Sequence, residues 1–593
     1  MARLDQGGGG FHVNFESLSD FEDDKRMIEI SNAKKLNLIK EEDLFKRFKA
    51  ASSLTEKMAN HLRDGKYYLF NDADAIEFKN SRILKTPTIN WKYKHHHSLN
   101  TYQVYLHNLD LLTGLSNEYK RTNDIWLLEQ AHAILKNWIK YDKSKKIKSP
   151  AKMWADHPAA ARVLNIVFFY ATARDVIEID ESLIYDILTK HANFLYQNKN
   201  YTRNNHGIMM DRSLILLSLI LENSNESKDW RERALVRIKD AFNRDFSQKG
   251  THLENSPTYH RLVMNLFIST ERFLKQNDLS LGEAYTDRLK LAKKYLQYIT
   301  KPDKTLPTIG DAGKSEAFKI KKVYDNFFDS EAGIAILQDE NKSNPELSTW
   351  ISFICGYGSK THKHNDDLSF NLFWKGKDIF VDAGKYSYDK NNKYRQYVIS
   401  PLAHNTLTVK SENYSLDNPI KARENIRIIK VVNHQCYDLI KAQNLNYKHQ
   451  ELSRTLIFFK PNIVIIFDEI ISRNECTGLQ LFNLAPNIEI LKKDKQSVQI
   501  KSENDLIEIR PLLEIDDLNV YYGDLELPRA VISEKFAQVT AINQLEFSKK
   551  GTEINFLTLI MLGTEGNTPN ITHHAQTKKL EVEIKGGKYD IFL

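Results

Sequence analysis

Apolar positions in the first half of the chain recur with a helical period. Between residues 125 and 141, Leu127, Ala131, Ile134 and Trp138 fall at i, i+4, i+7 and i+11, which places them on one face of a helix. Similar faces recur in segments 182–195, 229–246, 261–274 and 284–299. Consecutive amphipathic helices with short polar links predict stacked helical hairpins, arranged either as a closed ring or as an open solenoid.

The period changes to two after a region of turn residues at 300–330, where Pro302, Pro307, Gly310 and Gly313 lie. Residues 368–381 predict a hairpin that turns at Lys375–Lys377. Further strands are predicted at 405–410, 455–459, 463–467, 498–501 and 580–584. Many short strands predict a sandwich-type antiparallel architecture. We therefore expect a multidomain α+β chain with a tail over residues 1–35, a helical domain over 36–315 and a β domain over 316–593.

Composition adds few constraints to this picture. Of the 593 residues, 41% are hydrophobic and 27% charged, as in ordinary globular proteins, and the net charge of +7 suits a polyanionic partner without requiring one. The three cysteines have no C-x-x-C spacing, so a disulfide framework or a Cys-rich zinc site is not expected.

No segment reaches the ~18 apolar residues that span a bilayer. The first residues lack the apolar core of a signal peptide and predict a flexible tail, and the run His95–His97 predicts an exposed basic patch.

Two polar clusters precede predicted helices. Asn204-Asn205-His206-Gly207 comes before the apolar segment 208–221, and a plain helix cap is the structural alternative. The segment 254–260 (ENSPTYH) comes before the helix at 261, and Ser-Pro is common at a helix start. A single tyrosine such as Tyr259 is more often a packing residue than an acid or base.

The β half carries a denser cluster at residues 362–367 (HKHNDD). Two histidines at i and i+2 of an extended segment point the same way, so His362 and His364 can share a pocket or a metal. Asp382 ends one apolar strand and His404 precedes another. Together with His364 they form a His/Asp/His set that suits zinc. A solvated loop with ordinary strand-edge residues is the structural alternative.

In this order, the clusters resemble the heparinase II/III-like polysaccharide lyases. The resemblance runs from about residue 90 to the C-terminus. Each motif is weak alone, but six in a fixed order are specific together. The matching pieces are NNHG (204–207), ENSPTYH (254–260), GDAG (310–313), HKHNDDLSF (362–370), DIFVDAGKYSY (378–388), and Arg395 followed by HNTLTV (404–409).

The resemblance implies an N-terminal incomplete (α/α) toroid followed by a C-terminal antiparallel β-sandwich, with a catalytic cleft between the two domains. By motif position it implies three sets of functional residues: Asn205, His206, Tyr259 and His362 as catalytic residues; Asn204, Glu254, His260 and Arg395 as substrate-binding residues; and His364, Asp382 and His404 as ligands of a divalent metal. We expect zinc, in a mainly structural role.

The implied reaction is β-elimination on a uronate. Asn205, assisted by His362, would neutralise the uronate carboxylate so that the C5 proton becomes acidic. Tyr259 would act as base and acid, and His206 as the base for the other uronate epimer. Some family members carry a Glu where this chain has Met209, which argues against their dual-epimer, heparin-type specificity.

The expected partner is an anionic polysaccharide, with a glycosaminoglycan or heparosan-like chain favoured over alginate or a capsular polysaccharide; neither a nucleic acid nor a membrane is expected. One rival is a metal-dependent hydrolase, because residues 362–367 approach the HxHxDH pattern of metallo-β-lactamases. Asp367 replaces the final histidine of that pattern. The other rival is a glycan-binding protein without activity, which would bind without forming an unsaturated product.

Overall fold

The computed structural model describes most of the chain: residues 36–37, 52–71, 76–79, 89–93, 99–144, 152–222, 224–563, 568–584 and 586–593. The predicted tail over residues 1–35 and the predicted basic patch at His95–His97 lie outside these residues. Within them, helices dominate the first half and antiparallel strands the second, as the change of hydrophobic period predicts.

The described residues form two compact units, and neither is continuous in sequence. The helical unit comprises residues 36–243 and 266–286, and the sheet unit comprises 244–265 and 287–593. The predicted domain boundary, at residue 316, divides the sequence at a single point, whereas the segments of the two compact units alternate along the chain. The boundary stays a prediction.

The first half contains a small hairpin, β1 (Tyr68–Asn71) and β2 (Ile76–Lys79), among helices of 10 to 20 residues. The helices are α1 (Ser52–Arg63), α2 (Leu99–Asn108), α3 (Asp110–Thr122), α4 (Ile125–Lys143), α5 (Asp156–Ala173), α6 (Glu181–Tyr196), α7 (Asn205–Ile220), α8 (Ser227–Asp245), α9 (Pro257–Gln276) and α10 (Glu283–Ile299). None of the described helices is long and apolar enough to cross a membrane.

Helix α5 is central to the helical unit, because it packs against α2, α3, α4, α6 and α7. Its sequence is apolar on most sides, as expected for a helix enclosed by others. The predicted face of α4 is confirmed, since Leu127, Ala131, Ile134 and Trp138 are all buried. Asp124 and Asp180 cap α4 and α6 by accepting backbone N–H groups that have no partner within the helix.

The sheet unit is built mainly from antiparallel strands. Besides the first part of α9 and most of α10, it contains two short helices, α11 (Lys393–Val398) and α12 (Pro419–Asn425). Its strands are β3 (Thr305–Leu306), β4 (Ser315–Glu316), β5 (Phe327–Asp329), β6 (Ile334–Asp339), β7 (Thr349–Ile354), β8 (Ser369–Trp374), β9 (Lys377–Phe380), β10 (Leu407–Val409), β11 (Ile426–Asn433), β12 (Tyr437–Asn444), β13 (Gln450–Phe459), β14 (Ile463–Asn483), β15 (Ile488–Lys493), β16 (Val498–Ser502), β17 (Asp505–Pro511), β18 (Asp517–Tyr522), β19 (Val531–Ile532), β20 (Thr540–Ala541), β21 (Asn543–Leu562), β22 (Asn570–His574), β23 (Lys579–Ile584) and β24 (Gly587–Phe592).

The predicted hairpin is confirmed as β8 and β9, and it turns at Lys375–Gly376. Both residues have positive φ, +48° and +80°, which suits a tight two-residue hairpin turn. Four of the other predicted strands fall within β13, β14, β16 and β23, whereas the strand predicted at 405–410 is longer than β10, which covers only Leu407–Val409.

A five-stranded sheet, β5 to β9, packs on a ten-stranded sheet that runs β11-β12-β13-β14-β21-β17-β16-β15, with β10 beside β14 and β18 beside β21. The shared core includes Ile351 and Phe370 from the first sheet and Ile466 and Phe556 from the second. A three-stranded sheet, β22 to β24, packs on the opposite face of the large sheet. The first residues of β14, Ile463–Phe467, are therefore apolar on both faces, because each face is covered there.

Arg454 on β13 and Asp468 on β14 form an ion pair whose side chains are both 0% exposed. The carboxylate accepts Arg454 Nε at 2.7 Å and Nη2 at 2.7 Å. Arg454 Nη1 also donates to the carbonyl oxygens of Leu368 and Asn405, both at 2.7 Å. The guanidinium thus bonds to the backbone of both motifs, 362–370 and 404–409.

Asp468→Asn is expected to lower the free energy of unfolding by about 3–5 kcal/mol, because it leaves a buried guanidinium without its charged partner. The matched control is Glu475→Gln on the same strand, whose ion pair with Lys550 is 64% and 63% exposed. That variant should lose less than about 1 kcal/mol. Chemical denaturation of both variants measures the difference, and equal losses would contradict the role given to the buried pair.

Candidate functional site

In the helical unit, the cluster at 204–207 forms the beginning of α7. Asn204 Oδ1 accepts the backbone N–H of His206 at 2.8 Å, so Asn204 is a helix cap. Asn205 is the first residue of the helix and is half-buried. A plain helix cap, the structural alternative for this motif, is therefore the role that the structure gives to Asn204. The substrate contacts predicted for Asn204 and the catalytic role predicted for Asn205 stay predictions.

His206 hydrogen-bonds through Nδ1 to Asp156 at the start of α5, over 3.0 Å. Asp156 also accepts Thr202 Oγ1 at 2.7 Å and the backbone N–H of His157 at 2.7 Å. Burial alone would raise the pKa of Asp156, but the hydrogen bond and charge of His206 hold it below its usual range. Because the carboxylate fixes Nδ1, the Nε2 side of the imidazole is left for proton transfer.

In the sheet unit, the Tyr259 ring stacks on the His362 ring, with centroids 3.6 Å apart and planes inclined by 18°. The Tyr259 hydroxyl lies 2.6 Å from the Tyr388 hydroxyl. Burial, and then the neighbouring Tyr259, raise the pKa of Tyr388 well above its usual value. Tyr388 therefore stays protonated and is able to donate to the Tyr259 oxygen.

Asp311 is the shared partner of three cationic or potentially cationic side chains. It accepts His362 Nδ1 at 2.9 Å and His364 Nε2 at 2.9 Å, and both ends of the Arg395 guanidinium. Burial opposes ionisation, but the hydrogen bonds from His362 and His364, together with Arg395, hold the pKa of Asp311 well below its usual range. The Arg395 guanidinium, predicted to bind substrate, is therefore engaged by an internal carboxylate.

The loops that carry these side chains touch through their backbones. A Cβ on Gly310 would lie 2.4 Å from the Asn255 carbonyl oxygen and 2.9 Å from the His362 carbonyl oxygen. His362 and Asn255 have φ of +57° and +58°, which is uncommon for residues with a side chain and recurs at functional sites. The Asn255 amide donates to the Ser359 and Thr361 carbonyls at 2.9 and 3.1 Å, which pins the loop before His362.

Glu254 and His260, both predicted to bind substrate, are buried. Glu254 Oε2 lies 3.8 Å from His362 Nε2, and burial, then the charge of Asp245, raise the pKa of Glu254 to about 8. His260 accepts the backbone N–H of His252 at Nδ1 and contacts the Ala292 carbonyl oxygen from Nε2 at 2.9 Å. With both nitrogens used inside the protein, the geometry gives His260 a supporting role, and its substrate contact stays a prediction.

The three predicted metal ligands lie together and share a common feature. His404 Nδ1 hydrogen-bonds to Asp382 Oδ1 over 2.6 Å, and the rings of His404 and His364 are 5.5 Å apart. One polar atom on each side chain is buried without a hydrogen-bond partner: His364 Nδ1, Asp382 Oδ2 and His404 Nε2. Unsatisfied buried polar atoms are costly, and imidazole nitrogens and carboxylate oxygens are atom types that bind metal ions. Even so, no group of three or more His, Cys, Asp and Glu among the described residues is arranged to hold a metal ion as it stands.

The charged residues between and after the two histidines serve the fold. Lys363 is buried and forms ion pairs with Asp366 and, at 3.0 Å, with Asp367. Asp367 also accepts the Tyr414 hydroxyl at 2.7 Å and the Gly356 N–H at 3.0 Å. The two aspartates that suggested a hydrolase pattern are thus engaged by a buried lysine.

The sequence prediction missed three side chains that hydrogen-bond to predicted catalytic residues. Asp156 carried no sequence signal, and Tyr388 and Asp311 lay inside matched motifs without an assigned role. Each acts through a partner 50, 129 and 51 residues away, respectively. A motif search that allowed a carboxylate partner for each candidate histidine would have raised Asp311 as a candidate.

Comparisons with known proteins bear on the family and the fold of this chain. The family described as Heparinase II/III N-terminus matches residues 24–333, and the family described as Heparinase II/III-like, C-terminal, matches residues 328–577. Similar curated proteins are the heparin-sulfate lyases of Bacteroides thetaiotaomicron, Bacteroides stercoris and Pedobacter heparinus, which are 20%, 22% and 21% identical over 70%, 45% and 60% of this chain. These matches span 66%, 44% and 56% of the relatives' own lengths, which is less than two thirds in each case.

Two solved structures share the fold. The crystal structure of heparinase III has a TM-score of 0.75 at 17% identity and covers 95% of this chain and 93% of its own. A heparan sulfate lyase from Pedobacter heparinus has a TM-score of 0.69 at 16% identity and covers 92% and 90%. The predicted fold class, an incomplete (α/α) toroid followed by an antiparallel β-sandwich, is confirmed.

Glu254→Gln is expected to gain stability relative to the wild type as pH rises from about 4.5 to about 8. A raised pKa in the folded state means that the fold holds the Glu254 proton more tightly than the unfolded chain does. That stabilisation is present below the unfolded pKa and is lost as pH rises through the folded pKa, whereas glutamine does not titrate. Urea unfolding of both proteins across this range measures the gain. Curves that stay parallel from pH 4 to pH 9 would contradict it.

Proposed function

Because the chain belongs to the heparinase II/III family, we propose that it is a polysaccharide lyase that cleaves a uronate-containing acidic polysaccharide by β-elimination. The observation that carries this proposal is Tyr259 stacked on His362, with that imidazole bonded to the buried Asp311. The similar curated proteins are named heparin-sulfate lyases, which favours a glycosaminoglycan of the heparan or heparosan type.

The reaction removes the C5 proton of the uronate, forms the C4=C5 double bond and breaks the bond from C4 to the leaving oxygen. Negative charge develops on the uronate carboxylate as the proton leaves, so donors aimed at that group lower the barrier. His362 is proposed as one donor, because Asp311 fixes its Nδ1 and its Nε2 side lies towards Glu254. Asn205 of the helical unit is proposed as the other donor.

Tyr259 is proposed to take the C5 proton and to return it to the leaving oxygen. An unperturbed phenol titrates near pH 10, so its oxygen must be stabilised as a phenolate to act as a base near neutral pH. The Tyr388 hydroxyl at 2.6 Å supplies a donor for that oxygen. The stacked imidazole holds the Tyr259 ring in place.

His206 is proposed to act as the base for the other uronate epimer. Asp156 supports this role, because a carboxylate on Nδ1 orients the ring and stabilises the imidazolium that forms when Nε2 takes a proton. Met209, in place of the glutamate of some family members, favours a narrower epimer range than theirs.

A divalent metal, with zinc favoured, is proposed to be held by His364, Asp382 and His404. The support is the set of three buried atoms without hydrogen-bond partners, one on each predicted ligand. When bound, the metal would supply fixed positive charge and cross-link the segments at 364, 382 and 404. His364 also hydrogen-bonds to Asp311, so the same cross-link would steady the carboxylate that holds His362.

Tyr259→Phe is expected to reduce turnover by about 10²–10⁴-fold while leaving the stacked ring on His362 in place. Ultraviolet absorbance of the C4=C5 product measures turnover on a panel of uronate polysaccharides. Tyr324→Phe is the matched control, because it removes another phenol whose hydroxyl donates to the Pro345 carbonyl. A Tyr259→Phe variant as active as the control would contradict the assignment.

Metal analysis of the purified chain is expected to find about one zinc per chain. A chelator should lower the melting temperature, and His404→Ala should lose the metal and show the same lowered melting temperature without chelator. His434 lies outside the proposed ligand set, so the His434→Ala variant should retain the metal. A chain that binds no divalent metal and melts identically with and without chelator would overturn the metal proposal.

A further inference from the structure

Lys385 stands apart from the other cations around Tyr259 because its charge has no internal counter-charge. In the described part of the chain, no acidic side chain lies within 4.0 Å of its ammonium group. The ammonium instead lies 5.4 Å from the Tyr388 ring centroid and 5.5 Å from that of Phe536. Aromatic faces attract a cation but do not neutralise it, so the group keeps its attraction for an anion.

The neighbouring cations are already committed. Arg395 is bidentate to Asp311, and Lys363 is buried with Asp366 and Asp367. Of these three cations, Lys385 is the one whose charge is not paired with an internal carboxylate, so it is available to a ligand. It is also half-exposed, whereas Lys363 is buried.

The backbone around Lys385 is held in a strained and well-supported conformation. Gly384 has φ of +70°, and a Cβ there would lie 2.1 Å from the Ser533 carbonyl oxygen. Tyr386 has φ of +53°, which is rare for a bulky residue. Its carbonyl oxygen accepts the Ala537 N–H at 2.8 Å, and the Lys385 carbonyl oxygen accepts Arg395 Nη1 at 3.0 Å. Strain that is supported in this way marks functional positions.

This segment places Lys385 next to the phenol pair. The Tyr388 ring lies under the ammonium group, and its hydroxyl is 2.6 Å from the Tyr259 hydroxyl. A sugar whose C5 proton reaches Tyr259 would bring the anionic groups of its own or the adjoining residue close to Lys385.

We propose that Lys385, held between Tyr388 and Phe536, is an anion subsite that binds a carboxylate or sulfate group of the polysaccharide beside the cleaved bond. The inference rests on the proposed lyase function and adds a specificity-determining residue to it. Lysine is suited to this task, because its compact ammonium group pairs with either anion without demanding a fixed bidentate geometry.

The test compares Lys385→Gln with Lys375→Gln, which removes the same charge from an ion pair with Asp505 at the hairpin turn. Turnover is measured on unsulfated heparosan and on heparan sulfate. Calorimetric binding of oligosaccharides from both polymers is measured in the Tyr259→Phe background, where turnover does not interfere. Melting temperatures confirm that each variant folds.

Lys385→Gln is expected to raise KM and weaken binding about tenfold, as for the loss of one charge-assisted hydrogen bond, with kcat within about twofold. Lys385→Arg should recover most of the affinity, and Lys375→Gln should match the wild type. A loss on both polymers assigns the group to a carboxylate, and a loss on heparan sulfate alone assigns it to a sulfate.

Unchanged KM and affinity on both polymers, or an equal loss in Lys375→Gln, would overturn the subsite. The proposed function fails separately, when the wild type forms no unsaturated product from any uronate polysaccharide. In that case the binding measurements still decide whether Lys385 holds an anion.

Discussion

The buried carboxylate of Asp311 is the interaction on which the rest of the sheet-unit site depends. A single carboxylate accepts hydrogen bonds from His362, His364 and Arg395, and these contacts keep it ionised despite burial. A charge in the protein interior is stable only when it is compensated, so the three donors and the carboxylate hold one another in place. The orientation of the imidazole under Tyr259 follows from that mutual constraint.

This arrangement divides the charged groups into two kinds. Asp311, Asp366 and Asp367 neutralise cations within the protein, and their partners are thereby fixed in position. Lys385, which lies against the Tyr388 and Phe536 rings, belongs to the second kind: in the subsite proposed above, its charge is directed to a ligand. These three aspartates are buried, so their charge is directed to internal partners rather than to a ligand. Pre-organisation of this kind lowers the cost of orienting donors during a reaction.

Much of the fold could be predicted from the sequence, because helix and strand periods are local properties. The face of α4 and the turn at Lys375 follow from residues only a few positions apart. Strand β14 was predicted only to Phe467, although it continues to Asn483. Its pattern breaks where Asp468 is buried in an ion pair and where the pairing with β21 is irregular between Ile471 and Cys476.

Less of the site could be predicted, because its contacts join residues that are distant in sequence. Spacing brings His362 and His364 together, but it does not show which carboxylate they share. Asp311, Asp156 and Tyr388 meet their partners through tertiary structure, across 50 to 129 residues of chain. The order of the motifs is a property of the sequence, whereas the hydrogen bonds that join them form only in the folded chain.

The placement of Lys363 between two histidines limits how this loop is able to vary. Both imidazoles reach the same carboxylate, while the lysine between them bonds to Asp366 and Asp367 in the interior. A residue inserted or deleted between His362 and His364 would shift one imidazole relative to the lysine and so break one of these sets of contacts. The length of this segment is therefore constrained by two sets of buried contacts at once, whereas a point replacement disturbs only one of them.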